Sequence, residues 1–529
     1  MPEPITLRAD AAAPGRPLDH FWSRVVGAGR ANEGLRADWQ RQLAEAREAC
    51  GFEYVRFHGL FHDDMFVYTE RPDGTPIYNF QYVDALFDAL LDLGVRPFVE
   101  FGFSPRAMAR ETGTVFWWGA HGAPPTDLGR WAELIDRLVR HWLRRYGPAE
   151  VRRWYFEVWN EANLRGFFRG TRSEYFALYR STARAVKAVD PELRVGGPAT
   201  SNFVPDARFA GEVEDVSAQI GPGADLDALT WRPVWLDEFL AFCARERLPV
   251  DFVSCHPYPT DWALDEHGRG EKLTRGVDAT PIDLALLRAV VAAGPYPNAE
   301  LHLTEWNSSS SPRDHTHDTL PAATYVVRSV LRSLGTVDSL AYWTFTDVFE
   351  EGGAGDELLH GGFGMITLPG IPKPTFHAYR MLAGLGDRLL EQADGVVLTR
   401  DAGSGRVSAL AYHYPPEEPK SVPASFDDRR VADATQAKGV PRELDLSIAG
   451  VPAGSRFAVE ILDAGHGDAL GAWRALGEPS APTREQLAHL DRLARATQIR
   501  TVAAGADGTV RLRLVMTPWS VVSLRQLDG

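Results

Sequence analysis

The chain has 529 residues, of which 44% are hydrophobic and 24% charged, and its formal net charge is −15. This length exceeds one ordinary compact domain, so we expect two or more domains in a globular protein of ordinary composition. The acidic balance, without any block of like charges, argues against nucleic acid as a partner, because phosphate binding needs a basic surface.

The N-terminus and the cysteines bear on the compartment. "MPEPITLRADAAAPGRPLDHFW" lacks the basic and apolar regions of a signal peptide. No run of about 18 apolar residues occurs, so no membrane partner is expected. Cys50, Cys243 and Cys255 have no metal-ligand spacing and are expected to be free, mostly buried thiols. These features predict a cytoplasmic protein without a bound cofactor.

From about residue 18 to 350, short apolar strands alternate with amphipathic helices. In "WAELIDRLVRHWLRRYG", apolar residues recur every three or four positions, Thr126 or Asp127 offers an N-cap, and Gly147-Pro148 ends the helix. A second helix, "SEYFALYRSTARAVKAV", ends at Asp190-Pro191. The strand candidates are, in order, "FWSRVVGAG", "YVRFHG", "RPFVEFGF", "RWYFEVWNE", "RVGGPA", "FVSCHPY", "LHLTEWN" and "LAYWTFTD".

These eight units predict an α/β fold, a (β/α)8 barrel with enlarged loops over residues 15–385. Strands that alternate with helices are parallel and are joined by right-handed crossovers. An open doubly wound sheet is the alternative. Such a sheet usually carries a Gly-rich phosphate loop after its first strand, and "GAGRANEG" lacks the GxGxxG spacing.

The sequence pattern changes after about residue 385. Short β-rich segments separated by Gly, Asp and Pro predict an antiparallel β-sandwich over residues 386–529, with one helix at "TREQLAHLDRLARAT". Residues 1–14 are expected to add a strand to this accessory domain. The polar insertion at 415–439 is expected to be mobile. The accessory strand candidates are "GVVLTRDA", "RVSALAYHY", "RELDLSIAG", "RFAVEILDA", "TVRLRLVMT" and "SVVSLRQL".

Polar and aromatic residues stand at many of the predicted strand ends. In a (β/α)8 barrel the C-terminal ends of the strands form the active-site face, so these residues are the candidates for function. Convergence of so many such ends on one rim is hard to explain by packing alone. They are Arg56, His58 and "FHDD" after strand two, Asn160-Glu161 after strand four, His256-Pro-Tyr258 after strand six, Glu305-Trp-Asn307 after strand seven, and Trp343 and Asp347 after strand eight, with Glu350-Glu351 in the following loop.

Glu161 and Glu305 form the central candidate pair. Each is the last carboxylate of an apolar strand, and strands four and seven lie on opposing sides of an eight-membered ring. Two carboxylates about 5 to 5.5 Å apart are the arrangement of a retaining glycosidase, in which one protonates the leaving oxygen and the other attacks the anomeric carbon. A rim salt bridge is the alternative for either glutamate alone.

Several segments resemble glycoside hydrolase family 39 of clan A. "EVWNEANL" is similar to the acid/base segment of the clan, and "LHLTEWNSS" to the nucleophile segment of the family. The resemblance continues, in order, through "RFHGLFHDDM", "VFWWGAHGAPP", "VGGPAT", "CHPYP", "YWTFTDVFEEGGAGDELLHGGFGMI" and "GAWRALGEPSAPTREQL". Two departures are Asn-Glu-Ala in place of the commoner Asn-Glu-Pro and the length of the 415–439 insertion.

The resemblance implies roles for the residues that match. Glu161 corresponds to the general acid/base and Glu305 to the nucleophile. Asn160 resembles the amide that donates to the sugar 2-OH. His256 and Tyr258 match positions beside the nucleophile, and the tyrosine hydroxyl can orient its carboxylate.

The remaining matches imply a sugar-binding pocket. His58, Glu350 and Glu351 match positions that bind sugar hydroxyls, and Trp343 matches the floor under the ring. Each also has a simpler interpretation: His58 as a core histidine, "HPYP" as a rigid turn, and the acidic pair as a solvated loop. The aromatic loop 116–118 either lines a subsite or packs over the core.

The sequence therefore predicts a retaining exo-glycosidase, most like a β-D-xylosidase that releases xylose from the non-reducing ends of xylo-oligosaccharides. Within the family, α-L-iduronidase, α-L-arabinosidase and exopolysaccharide hydrolase activities are alternatives. A metal-dependent hydrolase would need clustered His and Asp ligands, which the strand ends do not supply. A non-catalytic sugar-binding protein is expected to have lost one of the acids, and both are present.

Overall fold

The structure, a computed structural model, describes residues 2–221, 223–264, 270–349, 351, 353–422 and 428–527. Eight parallel strands close into a barrel in chain order, which confirms the predicted architecture. Each observed strand lies inside its predicted segment or extends past one end of it by one or two residues. The barrel strands are β1 (Val25–Arg30), β2 (Tyr54–His58), β3 (Arg96–Phe101), β4 (Tyr155–Val158), β5 (Arg194–Ser201), β6 (Phe252–His256), β7 (Glu300–Trp306) and β8 (Ser339–Tyr342).

Helices cover the outside of the barrel. The predicted cap of the third helix is Asp127, whose side chain accepts hydrogen bonds from two backbone amides, and Thr171 caps the fourth through a capping box. A further short helix covers Pro148–Val151. The main helices are α1 (Ala37–Cys50), α2 (Gln81–Asp92), α3 (Leu128–Tyr146), α4 (Arg172–Val189), α5 (Leu236–Glu246), α6 (Ala279–Ala293), α7 (Leu320–Arg332) and α8 (Pro374–Ala383).

The loops at the C-terminal ends of the strands are enlarged, as predicted, and several contain small hairpins. These hairpins follow β2, β3, β5 and β6 and surround the mouth of the barrel. Their strands pair as Tyr68–Glu70 with Pro76–Tyr78, Thr114–Val115 with Ala120–His121, Phe203–Val204 with Arg232–Pro233, and Thr260–Leu264 with Gly270–Thr274.

The glycines of β1 make room for side chains and do not form a phosphate loop. A Cβ added to Gly27 would lie 2.5 Å from the Trp343 ring, and one added to Gly29 would lie 2.0 Å from Phe349. Such distances are far below van der Waals contact. The "GAG" segment therefore allows aromatic residues that follow β8 to pack directly on the backbone of β1.

Two further sheets form the accessory region. The seven-stranded sheet is antiparallel, and in the three-stranded sheet Ile5–Asp10 runs parallel to Arg442–Ala449. The sequence had suggested the N-terminal strand but not its direction, nor the polar edge strand Gln498–Ala503. The larger sheet has the order Arg16–Pro17, Arg388–Ala393, Val396–Arg400, Val407–Tyr412, Val521–Gln526, Arg456–Leu462 and Gln498–Ala503; the smaller has Ile5–Asp10, Arg442–Ala449 and Val510–Met516.

The larger sheet buries both of its faces. Val396 and Leu398 belong to the cluster between the two sheets, whereas Val397 belongs to the barrel core. Alternate residues of a strand point to opposite faces, so one strand serves both cores. The C-terminal antiparallel domain is thus a sandwich that packs on the barrel. The boundaries at residues 14 and 385 stay a prediction.

Part of the 415–439 insertion has regular structure. Arg429–Gln436 is a helix, and Arg429 donates to Glu357 at 2.7 Å on the barrel side. Residues 423–427 lie outside the described residues, and the mobility of the insertion stays a prediction. Other helices of the accessory region are Leu470–Ala475 and Arg484–Arg495.

The three cysteines are free and buried, as predicted. Over the part of the chain that the structure describes, none of the helices has the length and apolar character needed to cross a membrane.

Candidate active site

The end of β4 places Glu161 by an unusual backbone path. Trp159 and Glu161 both have positive φ, 69° and 46°, in the left-handed region that non-glycine residues rarely occupy. The amide of Glu161 donates to Ala199 O on β5 at 2.8 Å, and the Asn163 side chain bonds the backbone of Ser201 through both its oxygen and its nitrogen. These bonds tie the turn to β5 and hold the strained conformation, as often occurs at functional sites.

Glu161 and Glu305 face each other across the barrel mouth. A carboxylate oxygen of one lies within 4.8 Å of a carboxylate oxygen of the other, and both residues are almost buried, with 6% and 5% exposure. They share a cavity of about 360 Å³. Its other lining residues are Leu164, Phe167, Ser201, Asn202, Arg208, Glu214, Val216, Gln219, Tyr258, Ser310, Trp343, Glu351 and Phe363.

Glu305 is surrounded by donors to its carboxylate. Arg56 donates to Oε1 at 2.8 Å, and the Tyr258 hydroxyl donates to Oε2 at 3.2 Å. His58 Nε2 lies 3.5 Å from Oε1. Burial opposes the charge of His58, but the Glu100 and Glu305 carboxylates together raise the pKa of the imidazole. These contacts fix the orientation of the Glu305 carboxylate.

Arg56 lies at the centre of a buried network beneath the two glutamates. Its side chain is fully buried. It donates to Glu157 at 2.6 Å and to Asn160 Oδ1 at 2.8 Å, and it lies 3.0 Å from Glu100. Because Asn160 Oδ1 is engaged by Arg56, the amide nitrogen is the Asn160 group left to donate toward a ligand.

Glu161 lies in a different environment. Its Oε1 is 2.9 Å from His256 Nδ1. Burial raises the pKa of Glu161 to about 7, against the opposing influence of a hydrogen bond with Ser201. A carboxyl group with this pKa carries a proton for much of the time near neutrality, as a general acid requires.

His256 lies beneath Glu161 and away from the cavity. Its side chain is completely buried, its Nε2 is 2.9 Å from the Thr304 hydroxyl, and burial lowers its pKa to about 4. His256, predicted to stand beside Glu305, is therefore a neutral imidazole in contact with Glu161, and its Nδ1 is 3.8 Å from Glu305.

Glu161, His256 and Glu305 also have the spacing at which a metal ion could be held, since their donor atoms lie within 4.8 Å of one another. These atoms are already engaged: His256 Nδ1 bonds Glu161, and Glu305 accepts from the Arg56 guanidinium. A fixed cation at this position would repel a second one. We therefore interpret Glu161 and His256 as a pair that holds and transfers a proton, and we assign no metal ligand.

Aromatic rings form one wall of the site. Trp343 and Phe167 line the cavity, and the His58 ring lies 4.8 Å from that of Trp343. Phe116 stacks on His58 at 5.8 Å and contacts Phe167 at 5.3 Å. In the 116–118 loop, Trp118 is buried and Trp117 is 54% exposed. The loop thus joins the aromatic wall through Phe116.

The acidic residues after β8 have separate environments. Glu351 lines the cavity, whereas Glu350 lies outside the described residues. Asp347 does not face the cavity: it is buried and pairs with Lys373 at 2.7 Å. Asp64, from the loop after β2, pairs with His62 and Arg30. These aspartates stabilise the rim loops.

Sequence reasoning missed three residues that shape the site. Glu100 bonds His58 Nδ1 at 2.6 Å, Thr304 bonds His256, and Phe363 lines the cavity. Glu100 carried a usable signal, because a charged residue in the apolar segment "RPFVEFGF" is expected to have a buried partner. Thr304 and Phe363 lie inside segments that resemble the family, but neither received a role of its own.

Comparison with known proteins places this geometry in a family. The model of "Glycosyl hydrolases family 39" matches residues 5–511. A β-xylosidase of Geobacillus stearothermophilus is 36% identical over 504 residues, 94% of this chain and 90% of that protein. The crystal structure of a GH39 enzyme from Xanthomonas axonopodis pv. citri is 36% identical, with a TM-score of 0.85 over 100% of this chain and 98% of that one.

A monomeric β-xylosidase from Caulobacter crescentus CB15 has 33% identity and a TM-score of 0.82, over 99% of this chain and 98% of that one. The match of the family model extends from the first accessory strand, through the barrel with its two facing glutamates, to the start of the accessory strand Val510–Met516. Both parts of the architecture are therefore shared, and the chain belongs to glycosyl hydrolase family 39.

Proposed function

We propose that the protein is a retaining β-D-xylosidase that removes xylose from the non-reducing ends of small xylosides by double displacement. The observation that carries the mechanism is the pair formed by Glu161 and Glu305. Their oxygens lie within 4.8 Å, close to the separation of about 5 to 5.5 Å typical of retaining enzymes and too short for the intervening water of an inverting one.

In the first half-reaction Glu305 is the nucleophile. Its carboxylate, oriented by Arg56 and Tyr258, attacks the anomeric carbon while the bond to the leaving oxygen breaks. Glu161 transfers its proton to that oxygen. The products are a xylosyl ester on Glu305 and a free alcohol or shortened oligosaccharide.

In the second half-reaction Glu161, now a carboxylate, takes a proton from water. The oxygen of that water attacks the anomeric carbon, the ester bond to Glu305 breaks, and xylose leaves with its original configuration. Asn160 is suited to hold the sugar 2-OH, because its oxygen is engaged by Arg56 and its amide nitrogen can donate. Trp343 supplies an aromatic surface for the ring.

The choice of xylose rests on the relatives and on the cavity. Two relatives aligned over nearly the whole chain bear the name β-xylosidase. The cavity of about 360 Å³ is near the lower end of small-molecule sites, which span roughly 300 to 1,000 Å³. Such a cavity suits the end of a sugar chain better than its middle.

A uronate substrate is less well served. Arg56 is fully buried and bound to Glu157 and Glu305, so it is unsuited to meet a carboxylate at C5. Among the described residues that line the cavity, Arg208 is the basic one, and its Nε donates to Asp206 at 3.0 Å. An iduronidase would need a cation directed at the sugar.

A panel of aryl glycosides tests the proposal: β-D-xyloside, β-D-glucoside, α-L-arabinoside and α-L-iduronide. We expect the highest kcat/KM with the β-xyloside. Glu305→Ala is expected to lose about 10⁴-fold or more in kcat, as the removal of a covalent nucleophile does elsewhere. Azide added to this variant is expected to restore turnover and to form an α-xylosyl azide of inverted configuration.

Exposed Glu48→Ala on α1 is the matched control and is expected to keep full activity. A wild-type preference for the iduronide would overturn the substrate assignment. Full activity of Glu305→Ala would overturn the mechanism.

A further inference from the structure

A chain of hydrogen bonds links four residues from three barrel strands beneath the site. The Thr304 hydroxyl donates to Glu157 Oε1 at 2.7 Å, and His256 Nε2 lies 2.9 Å from the same hydroxyl. His256 Nδ1 lies 2.9 Å from Glu161 Oε1. Thr304, His256 and Glu157 are all completely buried, so water does not compete for these bonds.

The donors in this chain can be assigned from chemistry. Glu157 also accepts from the Arg56 guanidinium at 2.6 Å, so it is a carboxylate and accepts from Thr304. A hydroxyl has one hydrogen. With that hydrogen directed at Glu157, the Thr304 oxygen can only accept from His256, which places a hydrogen on Nε2.

The other ring nitrogen follows from the first. A neutral imidazole carries one N–H, so an Nε2–H leaves Nδ1 with a lone pair. A lone pair cannot donate to Glu161. The 2.9 Å contact between His256 Nδ1 and Glu161 Oε1 is a hydrogen bond only when Glu161 carries the proton.

We propose that Thr304 is a positioning residue that fixes the tautomer of His256 and thereby keeps the proton on Glu161. This inference rests on the proposed role of Glu161 as the acid. Thr304 does not touch the substrate; it acts through His256. The Glu157 carboxylate, itself held by Arg56, directs the hydrogen of the Thr304 hydroxyl. It thereby sets which atom donates in each of the three hydrogen bonds.

The arrangement serves both half-reactions. Before glycosyl transfer, the Nδ1 lone pair stabilises the carboxylic acid form of Glu161. After the proton has gone to the leaving oxygen, the same lone pair faces a carboxylate and disfavours it. Proton uptake from the attacking water is then favoured, so one fixed dipole supports the acid in the first step and the base in the second.

Other charged groups face Glu161 and His256 from neighbouring strands, and a substitution at Thr304 leaves these groups unchanged. Arg56 and His58 lie on β2 and Glu100 on β3, and their charges act on Glu161. Arg56, His58, Glu157 and Glu305 act on His256. The Tyr258 hydroxyl and the Ser201 side chain complete the surroundings.

The test compares Thr304→Val, which keeps the shape and removes the hydroxyl, with Thr304→Ser, which keeps the hydroxyl. Without the acceptor, His256 is free to place its hydrogen on Nδ1 and to donate to the Glu161 carboxylate, which lowers the pKa of the acid. We expect the alkaline limb of kcat/KM to move down by about one pH unit. At pH 8 this corresponds to about a tenfold loss on xylobiose, with little loss at pH 5.

A change of leaving group and the Thr304→Ser variant distinguish a positioning role of Thr304 from a purely structural one. A dinitrophenyl xyloside needs little acid assistance, so Thr304→Val is expected to lose far less on it. Thr304→Ser is expected to restore the wild-type limb. An equal loss at every pH, or a serine variant that behaves like valine, would show that Thr304 only supports packing and would overturn the proposal.

A second measurement reads the wild-type ring directly and needs no xylosidase activity. In protein labelled with ¹⁵N-histidine, the ring nitrogens of His256, assigned by their loss in His256→Asn, are expected to show a hydrogen on Nε2 and none on Nδ1. A hydrogen on Nδ1 would contradict the inference. Inactivity of the wild type on xylosides would instead count against the proposed function and leave this result interpretable.

Discussion

Glu161 and Glu305 are the same residue type at facing strand ends, and their neighbours make them chemically different. Glu305 receives donors from Arg56 and Tyr258, which stabilise its charge. Glu161 meets the lone pair of a neutral histidine and is raised in pKa to about 7 by burial. The two environments therefore suit the two glutamates to different tasks, Glu161 to hold a proton and Glu305 to receive donors.

The rate is therefore expected to depend on pH through Glu161. The acid is active when protonated, so kcat/KM should fall as the pH rises through about 7, the raised pKa of Glu161. Since kcat/KM reports the free enzyme, a pH–rate profile on an unactivated xyloside measures this limb directly. In Glu161→Gln, assayed with the same unactivated xyloside, the limb should vanish from the residual rate; its persistence would assign the titration to another group.

At the scale of elements, the segment after β8 is held by one buried lysine. Lys373 Nζ lies 2.7 Å from both Asp318 and Asp347 and donates to Gly362 O at 2.9 Å. The two aspartates accept the backbone amides of Gly361 and Gly364 at 2.7 Å. Phe363, which lines the cavity, is thus held between fixed neighbours.

Replacement of the lysine is expected to destabilise the protein and to loosen this wall. Lys373→Met leaves two buried carboxylates without their cation, which typically costs about 3 to 5 kcal/mol. Urea unfolding measures the loss, and KM for the xyloside is expected to rise with it. Lys420→Met, which breaks an exposed pair with Asp227, serves as control and should cost no more than about 1 kcal/mol. Equal costs for the two variants would contradict the role given to Lys373.

At the scale of the whole molecule, barrel and accessory sandwich share one apolar core. Leu382 of α8 belongs to the same cluster as Val397 and Val521 of the large sheet and Trp519 just before its strand Val521–Gln526. Arg380 of α8 donates to Glu460 of that sheet at 2.6 Å. Interfaces between domains of one chain are usually more polar than this one.

We expect the two domains to unfold together. A shared apolar core means that neither domain can open without exposing the other, so scanning calorimetry should show a single transition whose calorimetric and van't Hoff enthalpies agree. Glu460→Gln should lower the midpoint without splitting the transition. Two separate transitions in the wild type would show that the domains are independent.

The sequence predicted the framework of the site better than its interior. Strand alternation and the position of each strand end placed Glu161 and Glu305 on one rim. The Arg56 network was not visible, because its bonds join residues 101 and 249 positions apart, and one sequence does not reveal which side chains meet across a barrel. Arg56, one of the predicted strand-end residues, lies buried beneath Glu305 and donates to it.

Two other features were hidden for local reasons. Strand alternation puts Glu157 and Glu161 on the same face, but the positive φ values of Trp159 and Glu161 end that periodicity. Glu157 consequently points into the barrel and Glu161 into the cavity. The strand Gln498–Ala503 escaped prediction because an exposed edge strand lacks the apolar alternation that marks a buried one.

The pairing of Ile5 with Leu444 constrains the order in which the parts of the protein can fold during synthesis. At typical translation rates the first strand waits on the order of a minute for its partner to leave the ribosome. During that time the whole barrel leaves the ribosome and can fold, while the first strand stays unpaired. Completion of the small sheet, which also needs Val510–Met516, thus follows synthesis of the barrel.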